Sequence, residues 1–274
     1  MLSVNTNPGA LVALQNLTAT AQQLQDTQNR VSTGLAIGSP QDNGAIWAIA
    51  QNERGTSKSL DAVIQSLQRS QSTVQVATSA GTSVSNLLNQ LKSISLSASD
   101  SSLDATSLAA YNTQFKSVLK QISQVVNNSD FNGVNMIKSG GTSLYALATA
   151  SGGQLTVLAQ DLSLGGLIMP ALASTSSIGT VTLATAMVGT VQSAITSVNA
   201  ALGQLGTGAT ALQAQLTFIQ NLQDTLDTGV GNLVNANLGK ESARLTALQT
   251  KQQLGIQALS IANQSSSVLL SLFR

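Results

Sequence analysis

Two carboxylates one helical turn apart, Asp224 and Asp227, are the best candidates in this sequence for acid–base chemistry. Residues three apart share a helix face. Catalysis by such a pair needs a cleft that drives the two pKa values apart. The surrounding stretch is poor in charge and offers no partner, so a solvated pair is the better reading. Glu241 and Arg244 have the same spacing with opposite charges and read as a helix ion pair, worth a few tenths of a kcal/mol. Glu241 also falls on an apolar seam, which leaves a role between subunits open. Trp47, the only tryptophan, fits either a core plug in a helical bundle or a contact between neighbouring copies. Asn16-Leu17-Thr18 matches a glycosylation sequon, but within a stretch that reads as packed helix. Cysteine and histidine are both absent. A disulfide, a thiolate nucleophile, a zinc site with Cys or His ligands and a Ser-His-Asp triad are therefore excluded. No catalytic, cofactor-binding or metal-binding residue is assigned, no cofactor is expected, and the reading is that of a non-enzyme.

The remaining composition points to a covered surface. Apolar residues make up 42% of the chain and charged residues only 8%, against about 25% charged in an average domain. No charged side chain lies between Leu162 and Gln223. Polarity there rests on Gln, Asn, Ser and Thr, which give little charge repulsion between copies. The net charge is +1 and the basic residues are scattered. Neither a nucleic acid nor an anionic membrane is an expected partner. No uninterrupted apolar run reaches the roughly 18–20 residues that span a bilayer. Residues 1–8 lack the basic and apolar regions of a secretory signal, so a cytoplasmic chain or export by another route is expected.

Five stretches carry apolar residues spaced three and four apart, the heptad pattern of a coiled coil. The first runs Ala10, Leu14, Leu17, Ala21, Leu24, Gln28, Val31 and breaks at Thr33-Gly34. Gly38-Ser39-Pro40 then reads as a connector. The second starts near Asp42 and runs to about Ala98 through Leu60, Val63, Leu67, Ser70, Val74, Ala77, Gly81, Val84, Leu88, Leu91 and Ser95. Uncapped periodicity of that length argues for a coiled coil. In the third, Asp104 is the expected N-cap, and the seam passes through Leu108, Tyr111, Phe115, Val118, Ile122 and Val125. The fourth extends from Val188 to Leu226, with a phase shift around Gly229–Gly231, and the fifth from Val234 through Leu238, Glu241, Leu245, Leu248, Gln252, Gly255, Leu259, Ala262, Ser266 and Leu269 to Phe273. Between the third and fourth, residues 131–180 hold eight glycines. Leu144–Thr149 and Gln154–Asp161 read as a β-hairpin about Ser151-Gly152-Gly153. Leu164 to Ile178 reads as a loop or an irregular β segment. The fifth stretch has a second apolar line, Leu254, Ile261, Val268 and Leu272, so it is apolar on more than one face. A helix of that kind is buried in a larger core or a membrane, and burial between subunits is the expectation here.

Both ends carry a family likeness. Val4-Asn5-Thr6-Asn7, the run Asn29 to Ser39 (NRVSTGLAIGS) and Asp42 to Ala50 (DNGAIWAIA) resemble the N-terminal part of bacterial flagellins, the last in a form similar to that of alphaproteobacterial members. Gln249 to Leu254, Ala258 to Gln264 and Leu270 to Arg274 resemble the flagellin C-terminus. The likeness covers about residues 4–135 and 185–274.

The resemblance implies a mainly α fold: a long coiled-coil helical bundle with paired terminal helices and a small β-hairpin insertion. In its terms, residues 1–34 form an N-terminal inner-tube helix pairing with a C-terminal one at 235–274. Residues 35–45 form a connector, and 46–234 a bundle domain that includes the hairpin region 139–180. It implies a structural subunit of the extracellular bacterial flagellar filament, secreted through the flagellar type III export apparatus. The partners implied are further copies of the chain in a helical homo-polymer, an export chaperone, the filament cap and hook-junction proteins, with no nucleic acid and no membrane. Leu14, Leu17, Leu24, Leu259, Ile261, Leu269 and Phe273 are the expected self-assembly residues. A hook–filament junction protein is the alternative within the same export system. A signalling coiled coil is weaker, for want of a highly charged surface, and an enzyme weakest.

Overall fold

Long helices follow from long heptad repeats with no proline inside them. The computed structural model describes the backbone of residues 6–271 and the side chains of residues 6–264. It contains α1 (Pro8–Thr33), α2 (Gly44–Ala98), α3 (Ala105–Asn128), β1 (Leu144–Leu147), β2 (Gln154–Val157), α4 (Val181–Val234) and α5 (Leu238–Ser271). This is the mainly helical fold, with paired terminal helices and a small hairpin, that the resemblance implies. At two places it differs in detail. The hairpin strands are shorter than expected, pairing Leu144 with Val157 and Leu147 with Gln154. And α4 continues through Gly229 and Gly231, the break coming instead at residues 235–237, where Asn237 caps α5 by accepting from the Lys240 amide at 3.1 Å. A side-chain cap ends and restarts a helix more firmly than helical glycines interrupt one.

The chain divides into two compact units, residues 1–55 with 225–274, and residues 56–224. In the larger unit the seam of α2 is buried as read: Leu60, Val63, Leu67, Val74, Ala77, Val84, Leu88 and Leu91. From α3 come Phe115, Val118, Leu119 and Ile122, and from α4 Val191, Ile195, Val198, Leu205 and Leu212. Asp104 caps α3, its carboxylate accepting from the Ser107 amide at 3.0 Å. Buried Asn135 closes the other end, donating to the Val126 carbonyl at 2.8 Å and accepting from the Ile137 amide at 2.9 Å. The hairpin is fastened from two helices: Ser66 accepts from the Leu147 amide at 3.0 Å, and Gln215 donates to the Ala148 carbonyl at 2.8 Å. The segment after it has no regular structure, yet Leu162, Met169, Leu172 and Ile178 are buried.

By length and composition α4 is apolar enough to cross a membrane, with an 18-residue window of mean hydropathy 1.3. This corrects the expectation drawn from uninterrupted runs, which Ser, Thr and Gln interrupt without lowering the average enough. One stripe of its apolar side chains, Val191, Ile195, Val198, Leu205 and Leu212, recurs at heptad spacing and is buried in the bundle, while Leu183, Phe218 and Leu233 are exposed and 28% of the apolar window is buried, the arrangement of a helix with one core-facing seam.

The smaller unit holds α1, α5, the first turns of α2 and the last turns of α4. Ala50, Val230 and Val234 are buried at its centre, with Leu35, Ile37 and Ile46 packed on them. Two connectors meet there. Leu35 and Asn235 form an antiparallel bridge, with the Ala36 amide donating to the Val234 carbonyl at 2.7 Å and the Ala236 amide to the Gly34 carbonyl at 2.8 Å. Gly34 ends α1 at φ +72°, a left-handed conformation that glycine adopts without a Cβ clash.

Candidate assembly surface

The residues of the α1–α5 pair are set by a few local devices. Asn7 starts α1. Its side-chain oxygen accepts from the Ala10 amide at 3.0 Å, and its Nδ2 donates to the Ala262 carbonyl of α5 at 2.7 Å. One residue thus caps one helix and ties it to the other. Along α1 the half-buried or buried stripe is Ala10, Ala13, Leu17, Thr20, Leu24, Thr27 and Val31. The sequence seam is therefore right at Ala10, Leu17, Leu24 and Val31 and rotated at its alternate positions. Leu14, Ala21 and Gln28 face outward, while Thr20 and Thr27 are buried. Threonine serves here because its hydroxyl turns back onto its own helix, Thr20 donating to the Asn16 carbonyl and Thr27 to the Gln23 carbonyl, each at 2.8 Å. The small methyl side lets α5 approach. Polar residue type hid these positions from a search for apolar ones.

On α5 the inward stripe is Glu241, Leu245, Leu248, Gln252, Gly255, Leu259 and Ala262. Gly255 fits under Leu17, whose Cδ1 would lie 3.3 Å from a Cβ placed there. Glu241 is 8% exposed, and one of its carboxylate oxygens, Oε1, lies 3.7 Å from Arg30 of α1. Its Oε2 is buried and has no hydrogen-bond partner among the described residues. The ion pair therefore joins two helices rather than Glu241 to Arg244, because Glu241 points at α1 while Arg244 is exposed. Beside the pair, the Gly38–Asp42 turn is held by Asp42. The amide and hydroxyl of Ser39, with the Gly38 amide, hold its carboxyl below the usual carboxylate range.

Among the polar residues on their outer faces the two helices leave several apolar side chains uncovered. Leu14 is 50% exposed, Leu254 59% and Ile261 68%, and Leu11, Val12 and Ile256 are also exposed. An open cleft of about 580 Å³ between α1 and α5 is lined by Val12, Asn16, Leu17, Leu254 and Ala258 among others. Of the expected self-assembly residues, Leu17, Leu24 and Leu259 are half-buried on the facing stripes, and Leu14 and Ile261 are exposed. Leu269 lies in the last turns of α5, where side chains are not described, and Phe273 lies outside the described residues. Asp224 and Asp227 are both exposed, and Trp47 is half-buried.

Comparison with known proteins supplies a family. Residues 4–142 match the model of the bacterial flagellin N-terminal helical region, and residues 188–273 that of the bacterial flagellin C-terminal helical region. The flagellin FljO of Caulobacter vibrioides is 51% identical over 272 residues, covering 99% of this chain and 98% of that one. A flagellin of Brucella melitensis is 36% identical, with both chains covered in full. The crystal structure of Bacillus cereus flagellin, at 20% identity, shares the fold with a TM-score of 0.50, over 55% of this chain and 86% of that one.

Proposed function

The chain belongs to the bacterial flagellin family, and from that premise we propose that its two terminal helices are the surface through which copies join into the flagellar filament. One observation carries this reading. α1 and α5 pair with each other yet leave Leu11, Val12, Leu14, Leu254, Ile256 and Ile261 in water, on both helices of the same pair. Exposed apolar patches of this kind are contact surfaces.

The subunit is a structural, non-enzymatic building block. A patch on one copy meets a different patch on the next, and such heterologous contacts grow without closing. Burial of apolar area drives growth at roughly 25 cal/mol per Å², and ordering of the chain ends opposes it. In this reading residues 1–34 and 235–274 line the tube, 35–45 connect, and 46–234 form the bundle. Leu14, Leu17, Leu24, Leu259, Ile261, Leu269 and Phe273 carry the contacts. Secretion runs through the flagellar export apparatus with an export chaperone, and the finished filament, outside the cell, meets the cap and hook-junction proteins. The test is electron microscopy of the purified chain after addition of short filament seeds. Long tubes of uniform width are expected. Persistent monomers would instead favour a hook–filament junction protein, which adapts a filament without extending it.

A further inference from the structure

The α2–α4 seam in the larger unit carries a row of hydrogen bonds that its apolar pattern does not require. Gln71 Nε2 donates to Gln213 Oε1 at 2.6 Å, Ser85 Oγ to Asn199 Oδ1 at 3.0 Å, and Lys92 Nζ to Gln192 Oε1 at 2.6 Å. Each step along α2 is matched by an equal step back along α4. One heptad separates Ser85 from Lys92, as it does Asn199 from Gln192. Two heptads separate Gln71 from Ser85, as they do Gln213 from Asn199. All six residues therefore occupy the position beside the seam that other coiled coils fill with charged pairs to set orientation and alignment. Ten residues beyond the Gln71–Gln213 rung and outside the heptad row, Gln223 also donates across the pair, to Asp61 at 2.7 Å.

An apolar residue every three or four positions does not by itself distinguish two alignments that differ by one heptad, since both bury leucine and valine. A directional bond between particular side chains does. α4 has no charged residue between Leu162 and Gln223, so the usual ionic solution is closed to it and amides take its place. The Gln71–Gln213 and Ser85–Asn199 bonds join neutral groups, and Lys92 brings a charge to a neutral partner, so no rung is an ion pair of the kind that salt screens.

We propose that this row is a register lock, which holds α2 and α4 in a single antiparallel alignment whatever the ionic strength around the protein. The test uses the full chain, whose lack of native cysteine lets Ser72→Cys and Thr217→Cys carry the only spin labels. Both positions are exposed, and both hydroxyls bond only within their own helix. Pulsed dipolar spectroscopy of this labelled chain is expected to give one distance. Replacing the α4 rungs together, Gln192→Ala, Asn199→Ala and Gln213→Ala, keeps good helix formers throughout. It is expected to add a second distance, from chains in which α4 has slid along α2 by about 10 Å, one heptad of rise, and to lower the ratio of aligned to displaced chains by at least about tenfold, given three lost bonds of ordinary strength. A single unchanged distance in that variant overturns the proposal, since the apolar seam alone would then fix alignment. A second variant covers the case in which the alanine chain does not fold. Gln71→Glu with Gln213→Lys and Ser85→Glu with Asn199→Lys makes the row ionic. Its distance is expected to be single at low salt and to divide in 1 M NaCl, while the wild-type row stays single in both. An ionic row indifferent to salt also overturns the proposal.

Discussion

Gly208 of α4 lies directly beneath Val157 of the hairpin: a Cβ on Gly208 would come within 2.6 Å of Val157 Cγ1 and 3.1 Å of its Cγ2. Val157 is buried and branched at Cβ, so it has little rotamer freedom with which to give way. Gly208→Ala is therefore expected to destabilise the larger unit by about 1–3 kcal/mol, as overpacking does. One turn fraction away, Gly206 has nothing within 4 Å of its Cβ position. Gly206→Ala is expected to stabilise by about 0.5–1 kcal/mol through helix propensity alone. Thermal unfolding followed by circular dichroism separates the two, and equal shifts of the same sign would show that the hairpin does not sit on Gly208.

The exposed side chains of the terminal pair give the sharpest test of assembly. Ile261→Asp changes a residue that is 68% exposed, so the free subunit should lose less than about 0.5 kcal/mol. In a filament the same carboxylate would be buried without a partner, which is costly. Sedimentation after seeding should show monomers for Ile261→Asp, and also for Leu259→Asp, whose half-buried site leaves the larger unit untouched. Filaments from either variant at wild-type yield would remove α5 from the contact surface.

The helices were legible because their heptads are long. α2 and α3 end within about two residues of where periodicity and the Asp104 cap put them. The α5 stripe from Glu241 to Ala262 is the one read from sequence. What failed was the choice between two neighbouring positions on α1, where Thr20 and Thr27 turn inward and Leu14 outward. Heptad reading scores leucine above threonine. It does not see that a hydroxyl bonded to its own helix leaves a small apolar flank suited to close packing. The Arg30–Glu241 pair was equally hidden, because spacing along one helix finds Arg244 while the true partner arrives from a helix more than two hundred residues away.

Acid should loosen the α2–α3 turn before neutral variants of it. Hydrogen bonds from the Ser107 side chain and amide hold the Asp104 carboxyl below its ordinary value of 3.8. The Ser102 amide and hydroxyl do the same for Asp100. A carboxyl with a depressed folded-state pKa adds stability that is complete above its unfolded value. That stability fades as pH falls from about 3.8 through the folded value. Asp104→Asn keeps an N-cap acceptor and removes the titration. Its melting temperature should therefore fall less steeply than that of wild type below about pH 4, the range where carboxyls titrate. Parallel slopes would show that Asp104 is not coupled to folding of α3.

Arg30 and Glu241 should not be equivalent as targets. Glu241 is buried, with Oε2 already unpartnered, whereas the Arg30 side chain is 34% exposed. Arg30→Ala leaves a buried carboxylate with nothing opposite it, at an expected cost of about 1–3 kcal/mol. Glu241→Gln removes the charge that needs compensation and frees a guanidinium that water can reach, so it should cost less. Combining the two should recover much of the loss from Arg30→Ala, since the uncompensated charge is then absent. Hydrogen exchange at the first turns of α5 measures this directly. Protection there should fall most in Arg30→Ala and return in the double variant. Equal loss in both single variants, adding in the double, would mean that the two residues act independently and that α1 and α5 are held by their apolar stripes alone.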